Sequence, residues 1–137
     1  MTGQRDYAFR TRLEAPYEEA LKLLEAALKT EGFGILTSVD MRATLKEKLD
    51  VEFRKYSILG ICNPPLAQRA LASDLEAGLV LPCTIVVYEE DGTARVSIAD
   101  PMAVVDLLRN PALRPIAEEA QARLRRVFEA LVGSERA

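Results

Sequence analysis

The chain contains no histidine and no tryptophan, and it has only two cysteines. Without imidazole there is no Ser-His or Cys-His nucleophile pair and no histidine metal ligand within one chain. Acid-base chemistry would fall to carboxylates, lysines, tyrosines or the thiols of Cys62 and Cys83. Two cysteines are too few for a disulfide framework and, lacking histidine, too few for a one-chain structural zinc site. They are expected to be free thiols. Charge of one sign is also missing: 18 basic against 21 acidic residues give a net charge of -3, so nothing draws the chain to nucleic acid or an anionic membrane. No apolar run approaches the ~18 residues of a membrane span, and Met1 to Thr11 carries no signal-peptide pattern, which predicts a cytoplasmic protein.

What is present fits an ordinary globular chain. The 137 residues, 49% hydrophobic and 28% charged, suffice for a single domain over 1–137 with a core of its own. Its organising stretch is YSILGICNPP, Tyr56 to Pro65. The apolar run reads as a central strand covered on two sides, and it ends where Asn63 and Pro64 supply the N-cap and first position of a helix.

The rest alternates between strand and helix periods. Tyr7 to Leu13 alternates as a half-buried strand with Arg10 and Arg12 outward, and Pro16 opens a helix carrying Tyr17, Ala20, Leu21, Leu24 and Leu28 on one face, closed by Gly32. Phe33 to Asp40 reads as a strand with Phe33, Ile35, Thr37 and Val39 sharing a face. Thr44 and Glu47 are spaced as a capping box for a short helix, whose outer side shows Arg42, Lys46 and Lys48. The helix after Asn63 is expected to bury Leu66, Ala67, Ala70 and Leu71.

Two β-branched runs flank Asp91-Gly92, which predicts a hairpin with a type I′ turn. A two-residue loop sets Val87 opposite Val96, Ile85 opposite Ile98 and Cys83 opposite Asp100. Asp100-Pro101 and Asn110-Pro111 repeat the cap-proline pairing, and a long amphipathic helix through Leu113, Ala117, Leu124 and Leu131 is expected to end at Gly133. About five strands in one sheet, packed with helices, make an α+β protein of the mixed-sheet α/β sandwich kind.

Several of these stretches, in this order, carry a resemblance: GFGILTSVD at Gly32 to Asp40, TLKEKL at Thr44 to Leu49, ILGICNPP at Ile58 to Pro65, LPCTIVVYE at Leu81 to Glu89, and Asp100-Pro101. Together they resemble the domain of unknown function 302 family. Asp50 and Arg54-Lys55 stand where members of that family more often carry glycine and proline, although Asp50 can accept a left-handed turn. The resemblance implies a small α+β domain, often a stand-alone bacterial or archaeal protein, with no established activity.

Candidate site residues gather around the strand ends. Cys62 stands before a helix N-terminus, with Asn63 beside it, and the expected register sets Cys83 beside Asp100. With Asp40 these could hold a small ligand or, through Cys62 and Cys83, a soft metal. Lys46 and Lys48 could receive an anion. Each has a plainer reading: free cysteine packs as a small hydrophobe, Asn63 and Asp100 are helix caps, and a charged helix face is solvated. No catalytic residue or cofactor is assigned. The function expected is a small-ligand-binding domain, a homodimer in the cytoplasm without established catalysis. The alternatives are a thiol-dependent redox or soft-metal-handling protein using Cys62 and Cys83, and a structural interaction module.

Overall fold

A computed structural model describes residues 7–136. Its framework is one five-stranded sheet in the order β1-β5-β4-β3-β2, formed by β1 (Ala8–Leu13), β2 (Gly34–Asp40), β3 (Tyr56–Cys62), β4 (Cys83–Glu90) and β5 (Thr93–Ala99). The α-helices are α1 (Tyr17–Lys29), α2 (Met41–Leu49), α3 (Pro64–Ser73), α4 (Pro101–Val105) and α5 (Arg114–Arg136), with 3-10 turns at Leu75–Leu79, Asp106–Leu108 and Pro111–Leu113. The α+β class therefore stands, with every strand pairing antiparallel. The mixed sheet expected from the helical connections does not form, because the α1 crossover joins β1 and β2 at opposite edges instead of making them neighbours. Among the described residues no helix is long and apolar enough to cross a membrane.

The sheet is closed on one face. Leu13, Leu59, Ile61, Ile85, Val87, Val96 and Ile98 pack against Leu24 and Leu28 of α1 and Leu124, Val127 and Leu131 of α5. Burying a Leu, Ile or Val side chain of this kind contributes about 1.5–3 kcal/mol. The other face carries Arg12, Arg95, Ser97, Val86, Tyr88 and Ile58, all half-buried or exposed. Arg12 and Arg95 are cross-strand partners, a like-charge pairing that each offsets with a carboxylate, Glu14 at 2.8 Å and Glu90 at 3.2 Å. The two-sided cover expected for β3 is thus replaced by helices on one face and strands on both edges.

The hairpin has the expected register, Ile85 opposite Ile98 and Val87 opposite Val96, and both turn residues have positive φ, Asp91 at 54° and Gly92 at 78°. Other elements depart from the sequence expectation for local reasons. In β2 the register slips between Ile35 and Thr37, so these two do not share a face and Leu36 is 65% exposed. The slip lies opposite Gly60, where an added Cβ would run into Thr37 Oγ1 and come within 2.7 Å of the Pro82 ring. Helix α2 starts at Met41, capped by Asp40 accepting from the Ala43 amide at 3.0 Å, and Thr44 instead bonds the Asp40 carbonyl, so no capping box forms at Thr44. Leu71 of α3 lies 39% exposed, and α5 continues past Gly133 to Arg136.

One polar contact ties the layers. The Tyr17 hydroxyl of α1 and the Ser57 hydroxyl of β3 are hydrogen-bonded inside the protein, with both residues buried. Removing one partner strands the other away from water. Tyr17→Phe is expected to lower the unfolding free energy by about 1–2 kcal/mol, and the double change with Ser57→Ala to cost less than the sum of the single changes. Urea titration measures both, and strict additivity would mean that the two hydroxyls do not act as a pair.

Candidate functional site

Beyond the end of the sheet that carries Cys62, a second apolar cluster forms. Ala70 of α3, Ala77 of the following 3-10 turn, Val105 of α4, Leu113 and Ala117 of α5 are buried there, with Leu81, Met102, Leu108 and Ile116 against them. The chain is brought to this place by repeated cap-proline starts. Asn63 accepts from the Leu66 amide at 3.3 Å, Asp100 from the Met102 amide at 2.9 Å and Asn110 from the Ala112 amide at 2.9 Å, each followed by a proline at the first helical position. A hydrogen bond from Asn110 to Asp74, 3.0 Å, ties the turn before α5 to the end of α3 and draws the Asp74 carboxyl below its usual range.

The helices do not fill the space they enclose. A cavity of about 320 Å³ lies between the sheet end and these helices. Its floor is Phe33, Ile61, Cys62, Asn63, Cys83 and Thr84, its walls include Ala67, Ala70, Val104, Ala117 and Ala120, and Leu79 and Pro82 stand at its exposed side. The volume lies within the range of small-molecule sites.

The structure brings three of the candidate residues together. Cys62, Asn63 and Cys83 all line the cavity. Cys83 pairs with Ile61, the residue before Cys62, and both thiols are free. The Cys83 thiol is pushed up to about 11, mainly by burial and secondarily by Cys62 beside it. Asn63 has both ends of its amide engaged, donating to the Glu31 carbonyl at 3.1 Å while capping α3. The register is the expected one, but the β4–β5 pairing starts at Ile85 and Ile98, so the ladder stops short of the expected Cys83–Asp100 pair, and the Asp100 amide donates instead to the Tyr7 carbonyl at 2.8 Å. The Asp100 carboxylate accepts from Gln121, so it serves the junction of α4 and α5.

The other candidates lie apart. Asp40 pairs with Ser57, at the end of β3 opposite to Cys62. Lys46 is held by Asp50 at 2.8 Å and Glu52 at 2.9 Å, and Lys48 lies exposed on the same helix. Among the described residues no three His, Cys, Asp or Glu side chains are grouped to hold a metal ion. Sequence reasoning reached the sheet end of the cavity and missed its walls: Ala67, Ala70, Ala117 and Ala120 read as the inner stripe of their helices. Their small size at facing positions was the available signal.

Comparison with known proteins places these features in company. The family described as "Domain of unknown function DUF302" matches residues 9–131. A solved structure, an uncharacterized conserved protein DUF302 from Bacillus stearothermophilus, is 34% identical with a TM-score of 0.83, covering 90% of this chain and 97% of its own. No curated protein matches the chain.

The raised thiol gives a pH prediction. Between the ordinary thiol value, about 8.5, and about 11 the unfolded chain has lost the Cys83 proton while the folded chain still holds it, so stability falls as pH rises through that window. Cys83→Ala is expected to flatten this part of the unfolding free energy against pH. Alkylation of Cys83 in the folded protein should keep accelerating beyond pH 10, and a plateau near pH 9 would contradict the assignment.

Proposed function

The chain belongs to the domain of unknown function 302 family, and from that premise we propose that it is a small-ligand-binding protein whose site is the cavity at the Cys62–Cys83 end of the sheet. The observation that carries this reading is the cavity itself. It is lined from five separate segments, reaches the surface beside Leu79 and Pro82, and stands where strand ends meet helix starts. Cys62 and Cys83 act there as apolar wall, and no catalysis is assigned to them. The thiol-dependent alternative has less support, since a thiol raised to about 11 is protonated at neutral pH and a poor nucleophile.

The proposal includes a cytoplasmic homodimer. Supporting it, Leu36, Val39, Leu49, Val51 and Phe53 are all at least 40% exposed along the segment from β2 through α2 to the start of β3. Edge strand β2 has no lysine, arginine or proline to discourage pairing. Light scattering at micromolar concentration should give twice the chain mass, and a monomer there removes this part of the reading.

The binding claim is tested with N-phenyl-1-naphthylamine, an uncharged dye that fluoresces in apolar surroundings. Its emission should rise saturably with the parent protein and with Lys22→Ser, a change on the exposed side of α1. Ala67→Phe puts a ring into the cavity from a half-buried wall position and should weaken binding at least tenfold. Equal binding by the parent and Ala67→Phe, or none by the parent, would overturn the reading.

A further inference from the structure

We propose that the cavity takes an uncharged, predominantly apolar small molecule, an inference that rests on the binding function proposed above and names its ligand class. Of the described residues lining it, only Cys62 and Cys83 carry an ionisable group, and none is a lysine, arginine, aspartate or glutamate. This is unusual surroundings in a chain where 28% of residues are charged. Charged side chains on the surrounding segments form pairs with one another: Arg69 with Glu119 at 2.9 Å, Arg114 with Asp106 at 3.2 Å, and Arg123 with Glu119 at 3.3 Å. Asp100 and Asn110, whose neighbours Pro101 and Leu113 do line the cavity, spend their side-chain acceptors on helix caps.

A carboxylate, phosphate or ammonium group entering this space would lose its hydration and find no opposite charge to replace it. An apolar body has no such hydration to give up and gains contact with Phe33, Val104 and Ile116. The polar atoms on offer lie at the sheet end. Asn63 is already satisfied at both ends of its amide, which leaves the two thiols, weak hydrogen-bonding groups suited to at most one uncharged hydroxyl or carbonyl of a ligand. The way in has the same character. Leu79, at the cavity's exposed side, is 74% exposed, and Leu75 in the same 3-10 turn is 87% exposed.

The test is a matched pair of the same ring system, 2-naphthalenemethanol and 2-naphthoate, each used at pH 7 to displace N-phenyl-1-naphthylamine from the whole protein. The alcohol is expected to bind about 100-fold or more tightly than the carboxylate, because only the latter must bury an unpaired charge. In Ala67→Phe both should lose their effect. Equal displacement by the two, or stronger displacement by the carboxylate, would overturn the ligand class while leaving the site in place. Displacement by neither would overturn the class as well. Failure of the dye itself to bind the parent protein would instead take away the site on which the class rests.

Discussion

The arrangement depends on one helix serving two apolar clusters. The buried stripe of α5 runs from Ala117 through Ala120 and Leu124 to Val127 and Leu131. Its C-terminal half closes the sheet with α1, where leucine, isoleucine and valine form the larger buried cluster. Its N-terminal half reaches beyond the sheet and meets α3, α4 and the short turns between them. There the stripe narrows to alanine, facing Ala67, Ala70 and Ala77. The same helix therefore fills one core and holds another open.

The surroundings of the opening are tied by hydrogen bonds as well as by their apolar cluster. Asn63 links the start of α3 to the Glu31 carbonyl, Asn110 links the start of the last helical region to Asp74, and Gln121 of α5 is bonded to the cap of α4. Each short helix is anchored at its N-terminus by a capping side chain, a contribution of about 1 kcal/mol apiece. With those ends held, the small side chains between them leave a space at the sheet end, and the cost of an unfilled apolar space is the kind that a bound apolar molecule removes. Stability and the proposed binding thus share one feature of the fold.

Much of the framework could be read from local chemistry. The hairpin followed from Asp91-Gly92 between β-branched runs, the helix starts from Asn63, Asp100 and Asn110 before prolines, and the long helix from its 3.6-residue stripe. The misses came where tertiary contacts decide. Nothing local announces that Gly60 needs its missing Cβ because Pro82 and Thr37 crowd it, or that β2 answers with a register slip. Leu71 fits a helical stripe and is nevertheless exposed, because α3 turns Leu66 and Ala70 inward. At the site, Cys62, Asn63 and Cys83 were legible from their place at strand ends, whereas Asp40 and the lysines of α2 belong to the far end of the sheet. Periodicity marks a buried face but does not say whether the face opposite it is filled.

The space between the sheet end and the alanine face of α5 is the proposed site for a small apolar molecule. A crystal structure of the protein grown with 2-naphthalenemethanol tests this most directly. Electron density for the ring system is expected between Cys83, Ala70 and Ala117, with the helices little moved. A cavity without that density at saturating alcohol, or one closed by inward movement of α3 and α4, would contradict it.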